Sequence, residues 1–121
     1  MKGSCLCGAV RFEVSGEVTR NSACHCTMCR KVSGHYWAAA NAAPGSLKID
    51  GPVTWYASSD IADRGFCPTC GSALFWRPSH GKHVSFALGA VDGETGLALQ
   101  RHIFTADKGD YYDLTDDLPK S

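Results

Sequence analysis

The chain of 121 residues carries 12 Lys and Arg against 12 Asp and Glu, with five His and seven Cys. At that length one domain spanning residues 1–121 is expected, burying roughly two-thirds of the surface that the unfolded chain exposes. A zero formal charge and no basic run longer than Arg30-Lys31 exclude the footprint of a protein that grips nucleic-acid phosphates. No stretch approaches the roughly 18 apolar residues of a membrane span, and Met1-Lys2-Gly3-Ser4-Cys5 lacks an apolar leader, so the expected location is the cytoplasm. There a disulfide framework is disfavoured, and an odd Cys count cannot pair fully within one chain. Metal binding or thiol chemistry is left.

In chain order, residues 10–14 alternate apolar and polar side chains, which at the strand period of two places Val10, Phe12 and Val14 on one face. Residues 36–41, 47–50, 54–57, 74–77, 84–88 and 98–104 are similar short runs. Turn residues separate them, as in Ala43-Pro44-Gly45-Ser46 and Pro78-Ser79-His80-Gly81. The spacing predicts a single helical piece, from about Thr27 to Val32 and ended by Ser33-Gly34. The acidic, aromatic residues 110–119 read as a tail lying against a sheet. The expected class is all-β, either sheet on sheet or barrel-like.

The seven Cys form three clusters: Cys5-x-Cys7-Gly8, Cys24-x-Cys26-x-x-Cys29, and Cys67-x-x-Cys70-Gly71. The first and last share a trailing Gly, the knuckle grammar in which a left-handed residue turns two thiolates toward one metal. Together Cys5, Cys7, Cys67 and Cys70 supply the four ligands of a closed structural zinc, stapling an N-terminal strand to a distant hairpin. The middle cluster has three Cys and no trailing Gly. Three protein ligands with an open fourth position mark a catalytic zinc.

Two other readings compete for the middle cluster. His25, His35, His80, His83 or His102 could complete a second closed site, although His25 lies between two ligands and would tend to point away from their metal. Alternatively, Cys26-x-x-Cys29 and Cys67-x-x-Cys70 could be redox dithiols, but the strand-like residues after Cys70 lack the helix that such a dithiol needs.

Three thiolates around a zinc dication leave a formal minus one, which makes the metal a weak activator of water. Such a site suits an incoming thiol, held there as the nucleophilic thiolate. The added negative charge calls for a nearby cation, and Arg30 and Lys31 follow the last ligand. Backbone N–H groups opening the short helix also face the metal region. Ser33 and His35 are further candidates for touching substrate.

These residues carry a family resemblance. Cys5-x-Cys7-Gly8-x-Val10-x-Phe12, Cys24-His25-Cys26-x-x-Cys29-Arg30 and Gly65-Phe66-Cys67-x-x-Cys70-Gly71-x-x-Leu74-Phe75 closely resemble the glutathione-dependent formaldehyde-activating enzyme family, also called the centromere protein V family. The resemblance runs from Cys5 to about His102-Ile103. It implies the β-tent fold of small packed antiparallel sheets. It also implies two zinc ions per chain, a structural one on Cys5, Cys7, Cys67 and Cys70 and a catalytic one on Cys24, Cys26 and Cys29. The implied activity is a carbon–sulfur lyase reaction that reversibly joins glutathione and formaldehyde. A non-catalytic, zinc-stabilised binding module is the alternative, with Trp37, Trp55, Trp76 and the Tyr111-Tyr112 pair as its partner patch.

Overall fold

The computed structural model describes residues 1–121. The chain runs through β1 (Lys2–Ser4), β2 (Arg11–Val14), β3 (Val18–Cys24), α1 (Thr27–Ser33), β4 (Trp37–Ala42), β5 (Leu47–Asp50), β6 (Thr54–Ser59), β7 (Ala62–Phe66), β8 (Ala73–Pro78), β9 (Val84–Ala87) and β10 (Arg101–Ile103). Single 3-10 turns follow β9 at Leu88–Ala90 and β10 at Thr105–Asp107. No helix is long and apolar enough to cross a membrane.

These strands make an all-β fold of two sheets, one ordered β1-β2-β5 and the other β10-β3-β4-β9-β8-β7-β6. One pairing departs from the expected antiparallel pattern, because β10 lies parallel to β3. Connectivity explains it: β10 arrives long after β3, through the irregular residues 91–100, and not through a hairpin. The larger sheet is therefore mixed.

Period-two patterning builds the interface between the sheets. On β2, exposed and buried residues alternate, with Phe12 and Val14 inward. Together with Val10 they pack against Leu74 and Phe75 of β8, Phe86 of β9, and Ala40 and Ala42 of β4. Phe12 meets Phe75 edge-on at 5.3 Å between centroids and lies 5.9 Å from Phe86. Each fully buried aromatic side chain contributes about 1.5–3 kcal/mol. The small side chains of β4 admit these rings. Gly3 is required on β1, because a Cβ there would overlap the Phe12 ring and meet the Ala90 carbonyl oxygen at 2.7 Å.

A second, smaller cluster of Cys24, Cys29, Trp37, Ala39 and Ala87 lies toward the β3–β4 end of the large sheet. Helix α1 connects those two strands. It opens at Cys26, whose Sγ caps it by accepting from Cys29 N at 3.3 Å, and closes at Gly34, where φ is 84°. The predicted helix is thus found one residue longer. Residues 98–104 shorten to β10, while β1, β3 and β7 are strands that local patterning did not mark. Along β10 the C-terminal tail is tied at its end, with His102 N donating to Pro119 O at 2.9 Å and Ser121 N donating to His102 O at 3.0 Å.

Candidate metal centres

Two groups of thiols come together, Cys5 with Cys7, Cys67 and Cys70, and Cys24 with Cys26 and Cys29, each with its sulfurs within 4.8 Å of one another. All seven thiols are free.

The four-thiol group joins the two sheets. Cys5 and Cys7 follow β1 in the small sheet, and Cys67 and Cys70 lie between β7 and β8 in the large one. Both turns close as knuckles: Gly8 N donates to Cys5 O at 3.1 Å and Gly71 N to Cys67 O at 2.8 Å. Gly8 and Gly71 have φ of 80° and 79°, the left-handed conformation that the trailing Gly predicts. Cys5 Sγ is 3.6 Å from Cys7 Sγ, and Cys7 Sγ is 3.8 Å from Cys67 Sγ. Four sulfurs about 2.3 Å from a tetrahedral zinc stand about 3.8 Å apart, so this donor set fits that ion. Polar groups already support the sulfurs: Val10 N donates to Cys5 Sγ at 3.2 Å and the Ser72 hydroxyl lies 3.2 Å from Cys70 Sγ. The Ser72 hydroxyl is the leading reason that the Cys70 thiol falls to about 5.

The three-thiol group is built on one short stretch. Cys24 ends β3, Cys26 caps α1, and Cys29 lies one turn into the helix. Cys24 and Cys29 are buried and Cys26 is half-buried, so the group opens to solvent on one side. No His, Asp or Glu joins it as a fourth donor. The ring nitrogens of His25 point elsewhere, to Tyr112 and His102, and His35 bonds Tyr111. His83 stacks on Trp76 at 6.1 Å. The arrangement is three thiols with an open side.

Sequence reasoning missed Arg64 on β7. Its Nη1 and Nη2 both stand 3.6 Å from Cys29 Sγ, and the residue is only 9% exposed. A buried guanidinium needs an anion beside it, and this one has a sulfur, so the donor set fits a thiolate-bound dication. The Cys29 thiol falls to about 6, first through its hydrogen bond with Cys24 and then, against burial, through the charge of Arg64. Cys24 is pushed far above the ordinary thiol range by that same bond and by desolvation. Losing the charge while keeping the bulk, as in Arg64→Met, is expected to weaken zinc binding at this group about 10–100-fold. Chelator competition would measure it, and Arg64→Lys should fall between.

Arg30 and Lys31 occupy the last turn of α1, where cations complement the helix dipole. Lys31 is exposed, and Arg30 Nε is buried with no partner. The Ser33 hydroxyl is engaged locally, donating to Cys29 O and bonding around His35 and Tyr36. Trp37 is buried with Cys24 and Cys29, Trp76 is half-buried against that same cluster, and Trp55 is half-buried against the main core.

Comparison with known proteins identifies the family. The family described as glutathione-dependent formaldehyde-activating enzyme matches residues 1–107. An uncharacterized lyase of Schizosaccharomyces pombe is 31% identical, with 93% of this chain and 84% of that protein aligned. A Halomonas elongata protein, whose name assigns it provisionally to glutathione-dependent formaldehyde activation, is 30% identical over 94% of this chain and 80% of its own. A crystal structure of a Rhodobacter sphaeroides protein superposes with a TM-score of 0.61 at 28% identity, covering 79% of this chain and 92% of that one. The motifs, the fold and these matches place the chain in the glutathione-dependent formaldehyde-activating enzyme family.

Proposed function

We propose that residues 1–121 form one zinc-binding domain acting as a carbon–sulfur lyase on the adduct of a glutathione-like thiol with formaldehyde or another small aldehyde. One observation carries this reading: three thiols converge on an open side, beside a buried guanidinium, with no fourth protein donor. Cys5, Cys7, Cys67 and Cys70 hold a structural zinc, and Cys24, Cys26 and Cys29 hold a second. When bound there, zinc supplies a soft centre that keeps a substrate thiol in its thiolate form at neutral pH.

The chain's own groups do the rest. Arg64 offsets the negative charge of the sulfurs from the buried side. The Cys29 N–H donates to Cys26 Sγ and holds that thiol at the solvent-facing edge. Arg30 adds a cation on the same helix. In the synthetic direction the substrate sulfur bonds the aldehyde carbon and the C=O π pair moves to oxygen. That oxygen ends with the proton that the thiol gave up; cleavage reverses each change.

Zinc per chain together with a titration of free thiols tests the metal assignment. Two zincs and no reactive thiol are expected, whereas one zinc with three reactive thiols would overturn it and return Cys24, Cys26 and Cys29 to thiol chemistry. Exchange between free and hydroxymethylated glutathione, followed by NMR, tests the activity. Because the two react without any enzyme, an exchange rate equal to the enzyme-free rate would remove the lyase assignment.

A further inference from the structure

Helix α1 and its cap carry two of the three thiols of the open group, yet the helix has only seven residues. A helix that short does not hold its own geometry in water. The residues flanking it are aromatic: His25 precedes its cap, and His35 and Tyr36 follow its end. Both flanks are met by the C-terminal tail, from beyond the 1–107 segment that the family matches.

On the leading side, Tyr112 Oη bonds His25 Nδ1. On the trailing side, Tyr111 Oη lies 2.9 Å from His35 Nδ1. The rings close into one cluster, with centroid separations of 4.4 Å for His35 and Tyr112, 4.6 Å for His35 and Tyr36, 4.8 Å for Tyr111 and Tyr112, and 5.2 Å for His25 and Tyr36. Lys108 fixes the tail's own shape, its Nζ donating to Tyr112 O at 2.6 Å and Gly109 O at 2.9 Å.

The His25 contact continues into the sheet. His25 Nε2 is 2.9 Å from His102 Nδ1, and His102 Nε2 is 2.9 Å from Asp116 Oδ2. Both imidazoles are buried, at 0% and 4% exposure. A carboxylate can only accept, and Asp116 is held below its ordinary range chiefly by this bond with His102. His102 Nε2 therefore donates to Asp116, while His102 Nδ1 is paired with His25 Nε2 and His25 Nδ1 with the Tyr112 hydroxyl. All four ring nitrogens are satisfied, as burial demands. The chain starts and ends in the tail, crossing β10 and the residue between Cys24 and Cys26.

We propose that the C-terminal tail is a clasp that grips both ends of α1 and so holds Cys26 and Cys29 in register with Cys24. Tyr111, Tyr112, His25, His102 and Asp116 are positioning residues. The inference rests on the reading of Cys24, Cys26 and Cys29 as a metal centre. Interactions one layer out from metal ligands typically change affinity about 10–100-fold. The clasp acts on the open group alone, because no member of it touches the four-thiol staple.

The test uses the zinc-loaded full chain challenged with a chromogenic chelator. Cys29→Ser, which lacks the second zinc, identifies which release phase belongs to the open group. Tyr112→Phe keeps the ring and removes only the hydroxyl, and Asp116→Ala removes the far anchor. Each is expected to speed release from the open group by about 10–100-fold while the staple's phase stays unchanged. Asp116→Asn, which keeps an acceptor oxygen at an exposed position, should bring release back to within about threefold of the unaltered chain. Equal acceleration of both phases would show a general loss of stability and overturn the clasp, as would unchanged release in both variants. Should the unaltered chain release a single zinc, the metal reading fails and the clasp with it. Two zincs with insensitive variants sink the clasp alone.

Discussion

Cys67→Ser is expected to abolish the cooperative fold, leaving a chain without a thermal transition at room temperature and with its zinc lost. Cys67 is fully buried, belongs to the main core cluster, and faces Cys7 across the two sheets. Structural zinc sites of this kind contribute roughly 10–16 kcal/mol of apparent binding free energy. Domains retain only about 5–15 kcal/mol in total. Losing one ligand of four therefore removes an amount comparable with the whole margin, and the β1-β2-β5 sheet is left with the apolar packing of Val10, Phe12 and Val14 and a few bonds such as Asp92 N to Lys2 O to hold it. Cys70→Ser should behave alike. Far-UV circular dichroism with a thermal scan decides the matter. A variant that melts cooperatively near the unaltered temperature would show that the four thiols do not staple the fold.

Cys29→Ser should give the opposite result, a folded chain with one zinc fewer and an exchange rate no better than that of glutathione and formaldehyde alone. Cys29 lies in the smaller buried cluster, outside the Phe12-Phe75-Phe86 core. The substitution changes little volume. Its main structural cost is at Arg64, whose Nη groups lose a thiolate and face a hydroxyl. A buried donor left poorly paired costs about 1–3 kcal/mol, well inside the margin of a stapled domain. The contrast between the two variants carries the division into a structural and a catalytic zinc. If both unfold the chain equally, that division is lost.

The cysteine grammar was legible in advance because each motif is local. Gly8 and Gly71 mark the left-handed turns, and Cys26 and Gly34 bound α1 within one residue of expectation. What escaped is non-local. β3 reads Val-Thr-Arg-Asn-Ser-Ala-Cys without alternation and carries a bulge between Thr19 and Ser22, with Arg20 at a φ of 56°. β7 contains Asp63, Arg64 and Gly65, residues that mark a loop until Arg64 is seen to have Cys29 as its partner, 35 positions away in sequence. Arg30 and Lys31 sat where a charge argument would place the compensating cation, but the guanidinium that touches sulfur comes from β7, several strands away in the same sheet. Nothing in the acidic tail sequence announced that Asp116 closes a chain through His102 and His25 to Tyr112.

The staple also has a consequence in time. Cys7 and Cys67 are 60 positions apart, so during synthesis at about 5–20 residues per second the first two thiols wait roughly 3–12 s for their partners. Joining ends that far apart costs about 4 kcal/mol of chain entropy, counting 1.5RT ln n alone. Among themselves the thiols of the open group face no such delay, since Cys24 and Cys29 emerge almost together. On the proposed assignment, the three thiols of the open centre emerge early but wait for Arg64 and then for the tail to steady them, so the staple, complete at Cys70, can close before the catalytic centre reaches its final form.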